Sequence, residues 1–494
     1  MKQTIVSLSA VEQRQKIARK EISPVELVRA HIEQIESLNP GLNAICATDF
    51  ERAIETARTA EQSVIMGKPL GLLHGLPIGV KDLTDTAGLL TTYGNTSYTQ
   101  HIPKQDNSLI TRLKLAGGIV LAKTNTPDMG AGANTRNEVW GATGNPFNTQ
   151  LNAGGSSGGS AAALATDMVP LATGTDVGGS LRIPAALCGV VGMRPSPGFI
   201  GQDQRKLGWA VLNTIGPMAR DVADTALFFA ASMGADAADP LVFPADPATV
   251  WPQRRVELSA LRVGYTEDFD CCQVDPMIRR VFMQRVRAIA DHVHVCEPVT
   301  FDFPDAHETF DVLRAEGFLA QMGSVSENDL ASLSPNVRAN LELAQRMTLA
   351  DRAKAHLSQT RLMRQFAQAF QKYDIILSPT TPVTPFPWTT WYADTIEGQA
   401  MQNYYQWLAL TYVITLSTQP ALSLPMGLDE AGMPFGMQII APLYKDGRLL
   451  AIAKEFEDAF AHQPNLSRPK TEFGKLTVRN DSLRSIVTHA PGTI

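Results

Sequence analysis

Residues 154–165 read GGSSGGSAAALA, and residues 174–182 read GTDVGGSLR. Seven glycines fall in the 26 positions from Gly154 to Gly179, where average composition would place about two. With four glycines around Ser156 and Ser157, the first loop cannot run as regular helix or strand. Glycine there admits backbone conformations and close approaches that side chains forbid. Residues 160–165 then read as a tightly packed, buried helix. The loop is therefore held at a helix N-terminus, where free N–H groups favour developing negative charge. In the second segment Gly178 and Gly179 come directly before Ser180. Consecutive small residues let backbone N–H groups converge on one point, as stabilising an oxyanion requires. A serine beside them is a nucleophile candidate if a base can reach it.

A candidate base lies upstream. Residues 75–82 read GLPIGVKD, an apolar strand closed by Lys81. Strand alternation turns Lys81 to the face opposite both Val80 and Asp82, so it can be desolvated without pairing with the adjacent carboxylate. Only a neutral lysine accepts a proton. At the reference pKa of ~10.4, about one lysine in 2,500 is neutral at pH 7; reaching ~7 takes about 4.6 kcal/mol, which burial can supply. Competing readings are weaker. Residues 155–159 match the G-x-S-x-G nucleophile elbow formally, but 145–152 before them read as loop, not as an apolar strand. No Gly-Lys-Ser/Thr follows, which argues against a phosphate-cradling loop. Among nine histidines only His74 lies near a glycine motif, and His292 and His294 share a strand face without a third metal ligand.

Outward from these segments, apolar runs at 76–80 and 119–121 alternate with a helix at 108–115. Such alternation predicts an α/β sheet covered on its faces. The N-terminal region reads as helices, with capping boxes at Ser9/Glu12 and Ser23/Glu26 and a stop at Asn39-Pro40-Gly41. Residues 235–260, rich in Pro, Asp and Ala, read as a long surface connection, either a domain boundary or an insertion. Beyond them strands are expected at 261–265, 293–296 and 375–377, with a helix from Pro276 to residue 290 and mostly helix over 305–370. Phe386, Trp388, Trp391 and Tyr392 could wall an apolar pocket, or could pack a proline-stiffened loop. At 494 residues, 44% apolar and 19% charged, the chain can bury a large core. A net charge of −6 argues against direct electrostatic capture of nucleic acid or anionic membrane. Five cysteines without Cys-x-x-Cys spacing point to reduced thiols, neither disulfides nor a zinc site. The N-terminus lacks the apolar run of a signal peptide, and no stretch approaches ~20 uninterrupted apolar residues. A soluble, cytoplasmic protein is expected.

Together the three segments resemble the amidase-signature family. The resemblance rests on GLPIGVKD, on GGSSGGSAAALA and on TDVGGSLRIPAALCGVVGMRPS, in that order. Ser156 and Ser180 lie 24 positions apart, with Lys81 75 positions before Ser156. The flanks agree: Lys123-Thr124-Asn125, Gly144-Asn145-Pro146, and PALSLP at 420–425 with GMPFG at 432–436. Similarity spans roughly residues 5–460, dense in 70–220 and thin between 235 and 415. It implies one domain over 1–494, an α/β/α sandwich around a twisted mixed sheet, with the substrate-covering variation in 235–415. It implies catalysis by a Ser180–Ser156–Lys81 triad without metal or cofactor. Ser180 is then the nucleophile, Ser156 relays the proton after a cis peptide bond, and neutral Lys81 is the base. Family position puts the oxyanion donors on the backbone of Val177, Gly178 and Gly179, and Gly130 in the substrate pocket. The partners implied are a small-molecule amide and water, with a homodimer allowed and neither nucleic acid nor membrane. One branch of the family comprises free-standing amidases; the other is the A subunit of the glutamine-dependent tRNA amidotransferase. Apolar Ile183, where that branch carries glutamine, and the divergent 235–415 segment favour a free-standing hydrolase of hydrophobic or aryl amides, with ester or carbamate cleavage at the same serine.

Overall fold

The computed structural model describes residues 5–322, 330 and 332–492. Eleven strands form one mixed sheet: β1 (Ile45–Thr48), β2 (Pro77–Lys81), β3 (Ile119–Thr124), β4 (Leu171–Asp176), β5 (Val191–Arg194), β6 (Thr214–Ala219), β7 (Arg262–Tyr265), β8 (Val295–Pro298), β9 (Ile375–Pro379), β10 (Ala421–Leu428) and β11 (Pro434–Ile440). Their order across the sheet is β1-β3-β2-β4-β6-β5-β10-β11-β9-β7-β8. β2 runs parallel to both β3 and β4, and β7 parallel to β8 and β9. The middle of the sheet, β4-β6-β5-β10-β11-β9, is antiparallel throughout. Helices surround this sheet, in the α/β architecture that the alternating apolar runs predict.

Both faces are covered. Leu171 and Ala172, neighbours on β4, belong to two different hydrophobic clusters, so those clusters lie on opposite faces. Ala172 packs with the helices Pro24–Leu42, Phe50–Ile65 and Gly158–Ala165. Leu171 belongs to the cluster that also takes in residues of Val222–Ser232, Pro276–Ala290 and Asp446–Phe460. Strands buried on both sides read as continuous apolar runs, which is why PIGVK carries no polar alternation before its lysine.

Both capping boxes form, at Ser9 with Glu12 and at Ser23 with Glu26. The helix expected to stop at residues 39–41 continues to Leu42 with Pro40 inside it. Proline there removes one N–H bond from the last turn only. Asn43, in the left-handed region, caps the end by donating to the Asn39 carbonyl, and the C-terminal segment covers the turn through Asn480 N–H to Pro40 O. Residues 148–152, expected as loop, form a short ribbon with Gly144–Asn145. The helix Ser108–Leu115 stands as expected. Helices Ala306–Met322, Pro335–Arg346 and Leu349–Ala369 account for the stretch expected to be helical, apart from residues 323–329 and 331, which lie outside the described residues.

Ile78, fully buried on β2 three residues before Lys81, tests how far this core sets stability. Ile78→Ala is expected to cost about 2–5 kcal/mol, read as a lowered urea midpoint. A shift worth less than about 0.5 kcal/mol would mean the strand is not packed as described.

Candidate active site

Alternation along β2 puts Lys81 on the same face as Gly79. A Cβ added at Gly79 would meet Val169 and Ala172 side chains, on the face covered by the helix Gly158–Ala165. The lysine thus projects beneath the N-terminal end of that helix, where residues 154–157 turn over the sheet. Lys81 is fully buried, and its Nζ makes three contacts: 2.7 Å to Ser156 Oγ, 2.9 Å to Ser157 Oγ and 2.8 Å to Thr175 Oγ1. Its neighbour Asp82 points away and accepts from the Thr92 N–H and hydroxyl. Burial holds the Lys81 ammonium well below the ordinary lysine range, and the charge of Asp176 opposes that shift only in part. The amine therefore lies in a cage of hydroxyls with no carboxylate touching it.

The second loop is tied to the first by the Ser157 N–H, which donates to the Ser180 carbonyl at 3.3 Å. The Gly155–Ser156 peptide bond is cis. Ser180 is half-buried, and its hydroxyl has no hydrogen-bond partner among the described residues; the Ser156–Ser180 side-chain bond is not formed. Gly178 accepts the Thr411 hydroxyl at its carbonyl, 2.6 Å away. The Gly179 N–H donates to Asp176 Oδ1 at 3.1 Å, and the Leu181 N–H to Oδ2 at 3.2 Å. Gly179 sits at φ +116°, and a Cβ there would lie 2.2 Å from Thr411 Oγ1, so no other residue fits. Gly130, at φ +72°, comes close enough that an added Cβ would stand 3.5 Å from Ser156 Oγ. All seven residues singled out from the sequence thus belong to one region.

One feature differs from expectation, and one pair of open alternatives is resolved. The first helical amides beside Ser156 are not free: the Gly158 N–H donates to Thr135 Oγ1 and the Gly159 N–H to the Asn125 carbonyl. They are consumed in holding the loop. Of the aromatic residues near the proline-rich run, Trp388 is buried against Ala142 and Leu483, Trp391 stacks under Arg136, and Phe386 packs edge-on to Trp407. They pack the loop; Phe310 and Leu408 are the side chains facing Gly178.

Ser157 and Thr175 also touch the lysine and are not among the residues singled out from the sequence. Ser157 is legible as the second serine of the glycine loop. Thr175 is hidden, because only the β4 register turns it toward Lys81.

Asp176 ends β4 and accepts a two-pronged pair from Arg182, at 2.8 and 3.0 Å, with Arg194 at 3.3 Å. All three are fully buried. Burial pushes the carboxyl up, but Arg182 and Arg194 outweigh it and hold Asp176 at about 2.

A mixed eleven-stranded sheet carrying a buried lysine–serine contact between two glycine loops is the frame of a hydrolase of amide C–N bonds. The Amidase family model matches residues 26–450, and the chain belongs to that family. It is an amidase-signature amidohydrolase, as the sequence motifs implied. Acylamidase of Rhodococcus erythropolis is 32% identical over 456 residues, covering 91% of this chain and 95% of that one. The A subunit of glutamyl-tRNA(Gln) amidotransferase from Acidothermus cellulolyticus is 32% identical over 485 residues, covering 92% and 95%. The solved structure of a bacterial aryl acylamidase of the amidase-signature family superposes with a TM-score of 0.87 at 26% identity, covering 96% of this chain and 99% of that one.

Asp176→Asn leaves two buried guanidiniums short of their counter-charge and is expected to cost about 3–5 kcal/mol at neutral pH. Because the folded carboxyl titrates below its unfolded value of 3.8, its stabilisation is present above about pH 4 and is lost as pH falls toward 2. Urea titrations at stepped pH should show that loss in the parent and a flatter acid limb in the variant; parallel limbs would refute it.

Proposed function

We propose that the enzyme cleaves carboxylic amides through an acyl-enzyme on Ser180, acting on hydrophobic or aryl amides and, at the same serine, on esters or carbamates. The observation that carries this is the 2.7 Å contact between buried Lys81 Nζ and Ser156 Oγ. A neutral amine has two N–H bonds and one lone pair. Three surrounding hydroxyls match that set if two accept and one donates. Ser156 is the donor: it passes its proton to Lys81 as it takes the proton of Ser180, whose oxygen attacks the carbonyl. The tetrahedral oxyanion falls to backbone N–H groups of Val177, Gly178 and Gly179. The Gly179 N–H already donates to Asp176, which orients the loop and leaves Val177 and Gly178 as the first donors. Proton return from Lys81 through Ser156 to the leaving nitrogen frees the amine. Water then repeats the sequence against the acyl-enzyme. Gly130 gives the substrate room beside Ser156. The acylamidase and aryl acylamidase relatives support the substrate class.

The second reading is a glutaminase working within a tRNA amidotransferase, favoured by the 32% identity to the Acidothermus cellulolyticus protein. A panel of anilides, aliphatic amides, esters, carbamates and glutamine, assayed without any partner protein, separates the two. Hydrolysis of anilides or carbamates is expected, falling ~10⁴-fold or more in Ser180→Ala, Ser156→Ala and Lys81→Ala. Activity confined to glutamine would move the protein to the amidotransferase reading, and full activity in Ser180→Ala would discard the triad.

The pH profile gives a separate check. Activity needs neutral Lys81, so kcat/KM should rise with pH through a pKa far below 10.5 and then stay level. A rising limb near 10.5 would mean that the lysine is not the desolvated base.

A further inference from the structure

The helix Ala306–Met322 carries Phe310 and, one turn further along the same face, Arg314. Phe310 is fully buried and lies against the oxyanion loop, where a Cβ added at Gly178 would meet its Cζ at 3.3 Å. The Arg314 guanidinium sits over that ring, its carbon 5.8 Å from the centroid. The rings of Phe318 and Tyr405, each at 5.0 Å, and of Tyr404 at 5.5 Å complete a box around it. One aromatic ring therefore separates this cation from the loop proposed to hold the substrate carbonyl.

Arg314 is only 7% exposed, yet the described groups that hydrogen-bond to it are neutral, and Asp311 acts on it through space only. Nε donates to Asn340 Oδ1 at 3.1 Å and Nη2 to the Tyr404 hydroxyl at 2.6 Å. Among the described residues no carboxylate pairs with it. Asp311, on the same helix, is bonded by the Tyr405 hydroxyl and Asn403, and Glu316 by Arg352. Nη1 has no partner among the described residues. The Tyr404 hydroxyl accepts from both Arg314 and Asn340 Nδ2, the latter at 2.7 Å, so its own O–H remains to be donated. Aromatic faces return only part of what it costs to bury a guanidinium with no bonded counter-charge.

The same assembly is bonded to the other side of the active site. Asn340 Nδ2 donates to the Asn336 carbonyl, and Asn336 Nδ2 to the Ala131 carbonyl at 2.9 Å. Ala131 follows Gly130, which faces Ser156. Arg314 is thus bracketed by the Gly178 loop and the Gly130 loop. Among the described residues its Nη1 has no acceptor, and it lies beside a phenolic O–H, the set that binds a carboxylate in two-pronged fashion.

We propose that Arg314 with the Tyr404 hydroxyl forms an anion subsite of the substrate pocket, and that the amides this enzyme prefers carry a carboxylate in their acyl or amine part. This rests on the placement of the reacting carbonyl at Ser180. The substrate keeps its apolar or aryl part, and the arginine selects for one negative charge on it.

The test compares butyryl, succinyl and glutaryl p-nitroanilides and 4-butyramidobenzoate on the wild type, Arg314→Met, Arg314→Lys and Ser180→Ala. At least one carboxylated substrate should exceed butyryl p-nitroanilide in kcat/KM by about 30-fold or more in the wild type. Arg314→Met should remove that advantage, with a fall on the carboxylated substrates about 10-fold or more larger than on the neutral anilide, and Arg314→Lys should restore part of it. No preference in the wild type, or an equal fall on all substrates in Arg314→Met, would overturn the proposal. Glutarate binding gives a readout free of turnover: it should raise the melting temperature of the wild type and of Ser180→Ala, and not that of Arg314→Met. A wild type that cleaves nothing fails the Ser180 assignment, while the glutarate shift still decides Arg314; no shift in the wild type sinks the subsite.

Discussion

Asp176 ends a central strand with its carboxylate fully buried, and much of the active site hangs from that one charge. It takes Arg182 from the following helix and Arg194 from β5, and it accepts the amides of Gly179 and Leu181. Arg182 in turn reaches Gln438 on β11 and Thr411 and Thr415 on the helix Ala409–Ser417. Arg194 reaches the Leu212 carbonyl and the Thr214 hydroxyl at the start of β6. A buried pair like this adds little net stability, because desolvation offsets much of the attraction. What it secures is position: the loop from Asp176 to Ser180 cannot shift without stranding charges away from water.

That fixed negative charge also acts on Lys81. Asp176 favours the protonated amine, whereas burial disfavours it, and burial is the larger effect. Two guanidiniums, Arg182 and Arg194, pair with Asp176, while no described carboxylate is hydrogen-bonded to Lys81. With both groups dry and no hydrogen bond between them, burial lowers the lysine while Arg182 and Arg194 keep the carboxylate low. Direct contact would have produced an ion pair and a lysine unable to accept a proton.

The substrate-facing side is built differently. Phe310, Arg314, Tyr404 and Leu408 come from the stretch where similarity to the family is thin, and they converge on a loop where it is dense. The two parts of the chain are held together by Thr411 on Gly178 and by Asn336 on Ala131.

Local signals are legible where the physics is local. Capping boxes, the helix Ser108–Leu115 and the glycine loops depend on contiguous residues, and Lys81, Ser156 and Ser180 can be picked out from them. The helix running through Pro40 cannot, because a distant C-terminal segment completes its last turn. Neither can Thr175, turned toward Lys81 by strand register, nor Arg314, whose partners lie 26 and 90 residues away. The sequence by itself determined the residue chemistry, the α/β class and the loops able to hold a reacting serine. Only the tertiary structure decided which groups meet and which are dry. A lowered lysine pKa, a carboxylate held low by two guanidiniums and a buried guanidinium bonded only to neutral groups among the described residues all arise from water being excluded by residues far apart in the chain.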